Sequence, residues 1–387
     1  MSYIKVIVGS NYGDEGKGLM TDYFAAQARD RGESCIVVCS NGGSQRGHTV
    51  TTPDGIRHVF HHFGSGTLAG ADTYLPEYFI VNPMSFRSEY ECLKCNFINP
   101  KVYINQMCYV STLFDMMANQ IIENSRGDAR HGSCGMGIWE TLLRCKSFKH
   151  QTMIKDYYAG NKNKIYFNLI NVKKYYEKRF SEMDIRIPDG YLDVWNSETI
   201  IYHFIKDLEF MMQRITLSNV LTIGDTYDNI IFENGQGLML DQNIKGYGEH
   251  TTPSNTGIKN SVEMIRQIYG NKNVEVCYVT RTYLTRHGAG RFDEECDKSE
   301  INSEINDDTN IPNEFQGSIR YGKINIDSLI ERIDYDFIDA PKGWKKSLAI
   351  THINEYPWEF DMHNKELYCI YKSDGEMRTS VKQEYMI

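Results

Sequence analysis

No stretch of this 387-residue sequence reaches the roughly 18 apolar residues that a bilayer-crossing helix needs, so no membrane span is expected. No charged-then-apolar leader precedes the first strand-like segment, and the expectation is a cytoplasmic protein. Ten cysteines are present, but none of the spacing of a disulfide-stapled secreted domain, which points to reduced thiols. The single C-x-x-C, Cys92 to Cys95, has no second ligand pair and reads as ordinary helix residues rather than a zinc site. Positive charge is in deficit: 42 Lys and Arg against 51 Asp and Glu leave a formal −9. That balance disfavours a nucleic-acid polymer, whose phosphates demand clustered cations, yet permits one nucleotide in a local pocket. Internal repeats and low-complexity linkers are also missing.

What is present alternates strand and helix. "YIKVIVGS" reads as a buried strand, "KGLMTDYFAAQARDRG" as a helix ending at Gly32, and "ESCIVVCS" as a second strand, making a βαβ unit. "YFIVNP" and "KVYIN" read as short strands, and residues 112–125 and 168–183 as helices. "NIIFENGQG", "VEVCYVTRTYLTRHGAG" and "KSLAITHIN" read as further strands running into polar or glycine-rich turns. Residues 366–381 alternate around Asp374-Gly375 as a small C-terminal β-hairpin. The polar stretch 293–310 reads as a surface loop. The expected fold is α/β: a large, mostly parallel central sheet flanked by helices, like a P-loop NTPase. It forms one domain over 1–387, with a helical insert at about 110–225 and the site at the strands' carboxyl ends.

Two glycine-rich loops carry candidate chemistry. "GSNYGDEGKG" (9–18) offers backbone N–H groups and Lys17 to an anion at a helix start. It is not a Walker A motif, because Gly18 stands where the metal-binding hydroxyl belongs. Asp14 can supply the missing oxygen ligand. On this segment alone the loop points to nucleotide binding, with a structural turn as the alternative. "NGGSQRGHTV" (41–50) follows the second strand and carries His48 beside Gly47.

These loops, with "HHFGSG", "FENGQGLMLD", "TTPSNT" and "TRHGAGRF" in order, resemble the adenylosuccinate synthetase family. Its corresponding forms are GDEGKG, GGxNAGHT, PSG, FEGAQGxxLD, TSSNT and TRVGAGPF. The resemblance implies a ligase. A purine NTP phosphorylates O6 of a 6-oxopurine nucleotide (IMP or dIMP), and the amine of L-aspartate displaces that phosphate to give adenylosuccinate. It implies Asp14 as the base that removes the ring N1 proton and as a Mg²⁺ ligand, with the Gly47 carbonyl completing the metal shell. Lys17 and His48 then stabilise the transferring phosphoryl group, and Gln236 lies beside O6. The nucleotide-binding set it implies begins with Gly13, Glu15, Gly16 and Gly18 of the first loop. Gln45, Ser133, Cys134, Thr252, His287, Arg320, His352 and Asn354 follow. Arg144 stands for an arginine lent across a homodimer.

Several positions depart from the family pattern. Gln45 replaces an Asn and Arg46 an Ala; Arg46 reads either as an added phosphate contact or as a charge on a loop edge. Ser133 and Cys134 replace two threonines. The aspartate loop keeps Arg320, to be joined by Arg281, Arg286 or Arg291 if the co-substrate is aspartate. The guanine-reading TKLD becomes "THIN", and Asn354 carries no charge, which widens the expected donor from GTP to ATP or any purine NTP. The chain also lacks the family's last base-flanking segment. An alternative is the phage-type 2-aminoadenylosuccinate synthetase acting on dGMP with ATP, although those relatives carry Ser where this chain has Asp14. A non-catalytic nucleotide-binding relative is the other alternative.

Overall fold

Val-, Ile- and Ala-rich runs too apolar for a half-solvated sheet become strands covered on both faces. The computed structural model describes residues 3–127, 130–158, 160–246, 250–268, 273–305, 317–362 and 365–386. Its central sheet has ten strands: β1 (Tyr3–Gly9), β2 (Cys35–Cys39), β3 (Asp72–Leu75), β4 (Val102–Ile104), β5 (Ile215–Leu217), β6 (Asn229–Gly237), β7 (Asn273–Arg281), β8 (Lys345–Thr351), β9 (Cys369–Ser373) and β10 (Val381–Tyr385). They lie in the order β5-β4-β3-β2-β6-β1-β7-β8-β9-β10. Every neighbouring pair is parallel except β9–β10.

Alternation along each strand divides the core. Val6, Val38, Phe232, Val276 and Leu348 pack on one face with Val262, Ile265, Leu329 and Ile333. Ile7, Val37, Ile231, Cys277 and Ala349 pack on the other with Met20 and Phe24 of α1 (Lys17–Asp30). One direction for nine strands puts nine carboxyl ends on one edge, and the loops leaving β1, β2, β6, β7, β8 and β9 meet there.

Helices α2 (Leu113–Ser125), α3 (Ile138–Cys145), α4 (Lys162–Glu182), α5 (Asp189–Asn196) and α6 (Glu198–Met212) follow β4, and α2, α4, α5 and α6 build a second core around Phe114, Leu169, Trp195 and Phe204. Thr112 and Asp115 cap α2 reciprocally, which fixes its start. Cys92 and Cys95 are exposed on the helix Pro83–Cys95. Of the polar stretch 293–310, residues 306–310 lie outside the described residues, as do 313–316 of the aspartate-loop counterpart.

The expected C-terminal hairpin is present, and β9 pairs in parallel with β8, so the hairpin finishes the main sheet. Cys369, Ile370 and Tyr371 are buried, and this apolar run earns β9 an interior place while exposed β10 takes the edge. Its turn spans 374–380, so the second strand begins only at Val381.

Arg144 is misplaced by the sequence reading. It is fully buried on α3, with Nε and Nη2 on the two oxygens of Asp115 at 2.7 and 2.8 Å. Its remaining donors reach the carbonyls of His150 and Val110 and the Thr152 hydroxyl. A guanidinium saturated inside its own core cannot reach across a dimer interface. Removing one partner of such a pair strands a buried charge. Arg144→Ala should therefore cost about 3–5 kcal/mol in denaturant unfolding, while nucleotide affinity per folded molecule stays unchanged.

Candidate active site

The loop after β1 turns on glycines because its backbone leaves the ordinary region. Gly13 and Gly16 have φ of 100° and 95°, and Asp14 between them is held at 59°. A side chain at Gly18 would fall 2.7 Å from the Thr49 carbonyl. Helix α1 starts at Lys17 without a side-chain cap, leaving its first N–H groups for an anion.

The two adjacent carboxylates face opposite ways. Glu15 is buried and turns inward: Oε1 accepts from the N–H groups of Asn11 and Gly13 at 2.9 and 2.8 Å, and Oε2 binds Lys17 Nζ at 2.8 Å. It is the loop's internal counter-ion. Asp14 turns outward, with 28% of its side chain exposed, and Oδ2 accepts from His287 Nε2 at 3.0 Å. Burial pushes its carboxyl up, but His287, Arg281 and Lys17 together outweigh burial and hold it at about 2. At neutral pH it is a carboxylate.

The loop is clamped from two strands, β7 and β8. Asn11 Nδ2 donates to Thr280, the Thr351 hydroxyl donates to the Glu15 carbonyl at 2.8 Å, and Arg281 Nε donates to the Asp14 carbonyl at 2.6 Å. Arg332 adds contacts to the Ser10 carbonyl and Asn11 Oδ1.

His48 comes from the loop after β2 and is oriented by Glu233, a charged residue inside the apolar run of β6. Its Nδ1 lies 2.9 Å from Glu233 Oε1, and Nε2 lies 3.3 Å from the Gly235 carbonyl. Both ring nitrogens face acceptors, so a doubly protonated ring would satisfy both. Burial opposes that charge and drives His48 below its ordinary pKa, with Glu233 acting against the drop. Glu233 Oε2 also binds Arg46 Nη2 at 3.0 Å and accepts from the Ser65 N–H. Burial raises the Glu233 carboxyl, but Arg46, His48 and Ser65 bring it down to about 2. Arg46 is thus neither a phosphate contact nor an exposed charge; it is a fully buried partner of Glu233. The sequence reading drew Gln236 from this motif and passed over Glu233, whose signal was a lone acid in a strand otherwise apolar.

These loops enclose a cleft of about 420 Å³. Asp14, Gly16, Lys17 and Gly18 line it together with Gly47 and His48. Arg281, His352 and Asn354 also line it, as do Gly375 and Glu376 from the β9–β10 turn. His352 sits at φ 60° and is pushed well below its ordinary pKa by burial and Arg281. Gly13 and Glu15 lie in the same loop, and Gln236 Oε1 would be 3.9 Å from a side chain at Gly13.

A neighbouring group gathers Ser133, Cys134 and Thr252. The Ser133 hydroxyl donates to Asn119 and accepts from Gly135 N–H. Gly132 packs on Gly288, and His131 packs edge-on to His250. The Thr252 N–H donates to Leu240, just past Gln236, and burial raises the Cys134 thiol. The Gln45 amide folds back over Gly42 and Gly43. Arg320 binds Glu295 and the carbonyls of Gly288 and Gly290. Buried Arg286 holds the carbonyls of His250 and Ala289, and Arg291 pairs with Asp293.

The family model described as adenylosuccinate synthetase matches residues 6–316. The adenylosuccinate synthetase of Picrophilus torridus is 27% identical over 307 residues, 77% of this chain and 66% of that protein. The Trichoplax adhaerens enzyme is 25% identical over 401 residues, 98% of this chain and 83% of that protein. The chain spans just under two thirds of the P. torridus protein and 63% of the Lactobacillus acidophilus one. Two solved structures share the fold. The fully ligated Plasmodium falciparum adenylosuccinate synthetase aligns at TM-score 0.64 and 16% identity, over 99% of this chain and 87% of that one. The cyanophage S-2L succinoaminodeoxyadenylate synthetase, bound to dGMP and dATP, aligns at 0.62 and 15% over 100% and 96%.

Glu233 gives a pH prediction. Its folded-state pKa lies below the ordinary 4.5, so its stabilisation is complete above that pH and is lost as pH falls towards about 2. Unfolding followed by circular dichroism should show this acid limb. Glu233→Gln should flatten it and lower stability at pH 7 by about 3–5 kcal/mol, because Arg46 loses its buried partner.

Proposed function

The chain belongs to the adenylosuccinate synthetase family, and on that premise we propose that it is a Mg²⁺-dependent ligase joining L-aspartate to a 6-oxopurine nucleotide. The donor is a purine triphosphate, ATP or GTP, and the acceptor IMP or dIMP. The observation that carries this reading is that Asp14, Lys17 and His48 line one cleft. A base, a phosphate-binding ammonium and a phosphoryl-stabilising imidazole are what the two steps require.

Two acids stand within this anion loop, and Glu15 turns inward. It neutralises Lys17 while no phosphate is near and leaves Asp14 to face the substrate. Asp14, ionised and half-open to the cleft, takes the N1 proton, so that negative charge gathers on O6 and the oxygen attacks phosphorus. Lys17 and the uncapped start of α1 draw the phosphate charge, and His48, held by Glu233, offers Nε2 to it. Gln236 supports O6, and the Ser133, Cys134 and Thr252 group holds the acceptor's phosphate. Among the described residues no group of three or more His, Cys, Asp or Glu could cage a metal. Mg²⁺ fits this set, because it is content with one carboxylate and a carbonyl when phosphates complete its shell. Asp14 and the Gly47 carbonyl would hold it, and it would neutralise charge on the moving phosphoryl group. The amino acid meets Arg320 and Arg281 near the cleft, and binding there has Arg320 exchange Glu295 for a substrate carboxylate. The protein would act as a cytoplasmic homodimer.

The cyanophage enzyme's dGMP and dATP favour a second reading, a 2-aminoadenylosuccinate synthetase using ATP. Asp14 favours the first, since the phage-type relatives carry Ser at that position.

An end-point mass assay decides between them. The protein is incubated with IMP, dIMP, GMP and dGMP, with aspartate, Mg²⁺ and either ATP or GTP. Succinylated hypoxanthine nucleotide is expected, and none with any acceptor would overturn the ligase reading. Asp14→Asn should lower turnover by at least about 10²-fold with nucleotide affinity nearly unchanged.

A further inference from the structure

Three of the central strands carry charge where they begin, at the edge of the sheet away from the cleft. Lys5 of β1, Glu275 of β7 and Lys345 of β8 are register partners on neighbouring strands, so a cation, an acid and a cation stand in one row. They line a second cavity, of about 530 Å³, together with Gln27 and Asp30 of α1 and the rings of Tyr3, Tyr368 and Tyr385. The row does not neutralise itself. Glu275 is buried, and both its oxygens are engaged: Oε2 by Lys5 Nζ at 2.6 Å and Oε1 by the Tyr371 hydroxyl at 2.8 Å. Lys345, half-buried, is left on the far side, and no carboxylate among the described residues lies within ion-pair distance of it. Its Nζ sits 4.0 Å from the centre of the Tyr368 ring. Arg31 lines the same cavity over Tyr3 but is already bound to Glu33, and Asp30 accepts from Arg29. Tyr3 and Tyr385 are 45% and 58% exposed, so an open aromatic rim stands beside an ammonium without a counter-ion.

We propose that this second cavity binds a nucleoside phosphate, with its phosphate on Lys345 and its base against the tyrosine rim. An occupant must bring negative charge for the ammonium and a flat π-face for the rings, and a nucleoside phosphate carries both in one molecule. The Gln27 amide offers a donor and an acceptor to the edge of a base. At about 530 Å³ the cavity has the size of an enclosed small-molecule site, and ring faces with a few polar groups are the lining such sites have. A bare anion would use Lys345 and leave the rings wet, and an uncharged ring would leave Lys345 as it is. The cavity is built from the starts of the strands, so it depends neither on the loops that form the cleft nor on the reaction proposed there.

Photolabelling locates the occupant without turnover. The whole protein is irradiated with 8-azido-AMP, and labelled peptides are mapped by mass spectrometry in the wild type, Lys345→Ala and Tyr385→Ala. Label is expected on peptides carrying Tyr3, Tyr368 or Tyr385, besides any in the cleft. In both variants this second label should fall at least about tenfold at sub-saturating probe, while cleft labelling and thermal stability stay unchanged. Unlabelled AMP should compete for it better than adenosine or inorganic phosphate does. Label confined to cleft peptides, or second-site label that persists in both variants, overturns the proposal. Inorganic phosphate or adenosine that competes as well as AMP overturns it too, because one half of the nucleotide then adds nothing.

Discussion

A carboxylate with no access to water fixes the geometry on which the cleft depends. Glu233 sits in the middle of the sheet, where an isolated charge would be driven to protonate. It stays ionised because Arg46, His48 and the Ser65 N–H meet it from two loops. The carboxylate therefore does more than orient one imidazole. It binds the loop after β2 to the strand that carries Gln236, and Arg46 Nη2 extends the tie to the Phe63 carbonyl. With an alanine at position 46, Glu233 would rest on His48 and backbone alone; the arginine takes up part of its charge.

The loop after β1 solves the opposite problem with the same ingredients. Lys17 is the phosphate-binding ammonium of the proposed reading, yet it cannot lie buried and unpaired. Glu15 holds it at 2.8 Å and is itself held by two backbone N–H groups, so the loop is electrostatically closed before any ligand arrives. Adjacent residues on an extended or turning chain point to different sides, and glycines at 13 and 16 permit the turn that sends Asp14 outward. Acid in an anion loop is thus two separate devices that happen to be neighbours in sequence.

Much of this was legible in the residues. Parallel strands announce themselves as continuous apolar runs, and the glycine loops after β1 and β2 mark the carboxyl edge. Asp14, Lys17, His48, His352 and Asn354 all line the cleft. What could not be read was charge pairing over distance. Arg144 and Arg46 looked available because their partners, Asp115 and Glu233, lie 29 and 187 residues away and only the fold brings them close. The hairpin was legible from its alternation, but its place in the main sheet depends on an open edge elsewhere, here β8.

A cleft at the carboxyl ends of parallel strands needs walls from successive loops. β9 supplies one by running parallel to β8, because a strand in that direction delivers its following turn to the same edge as the loop after β1. An antiparallel β9 would deliver the turn to the opposite edge and leave β8's loop uncovered. The antiparallel return of β10 is then free to serve as an exposed border, and the ion pair from Arg378 to Asp22 secures the turn to α1. The direction of this strand thereby decides which residues face the cleft.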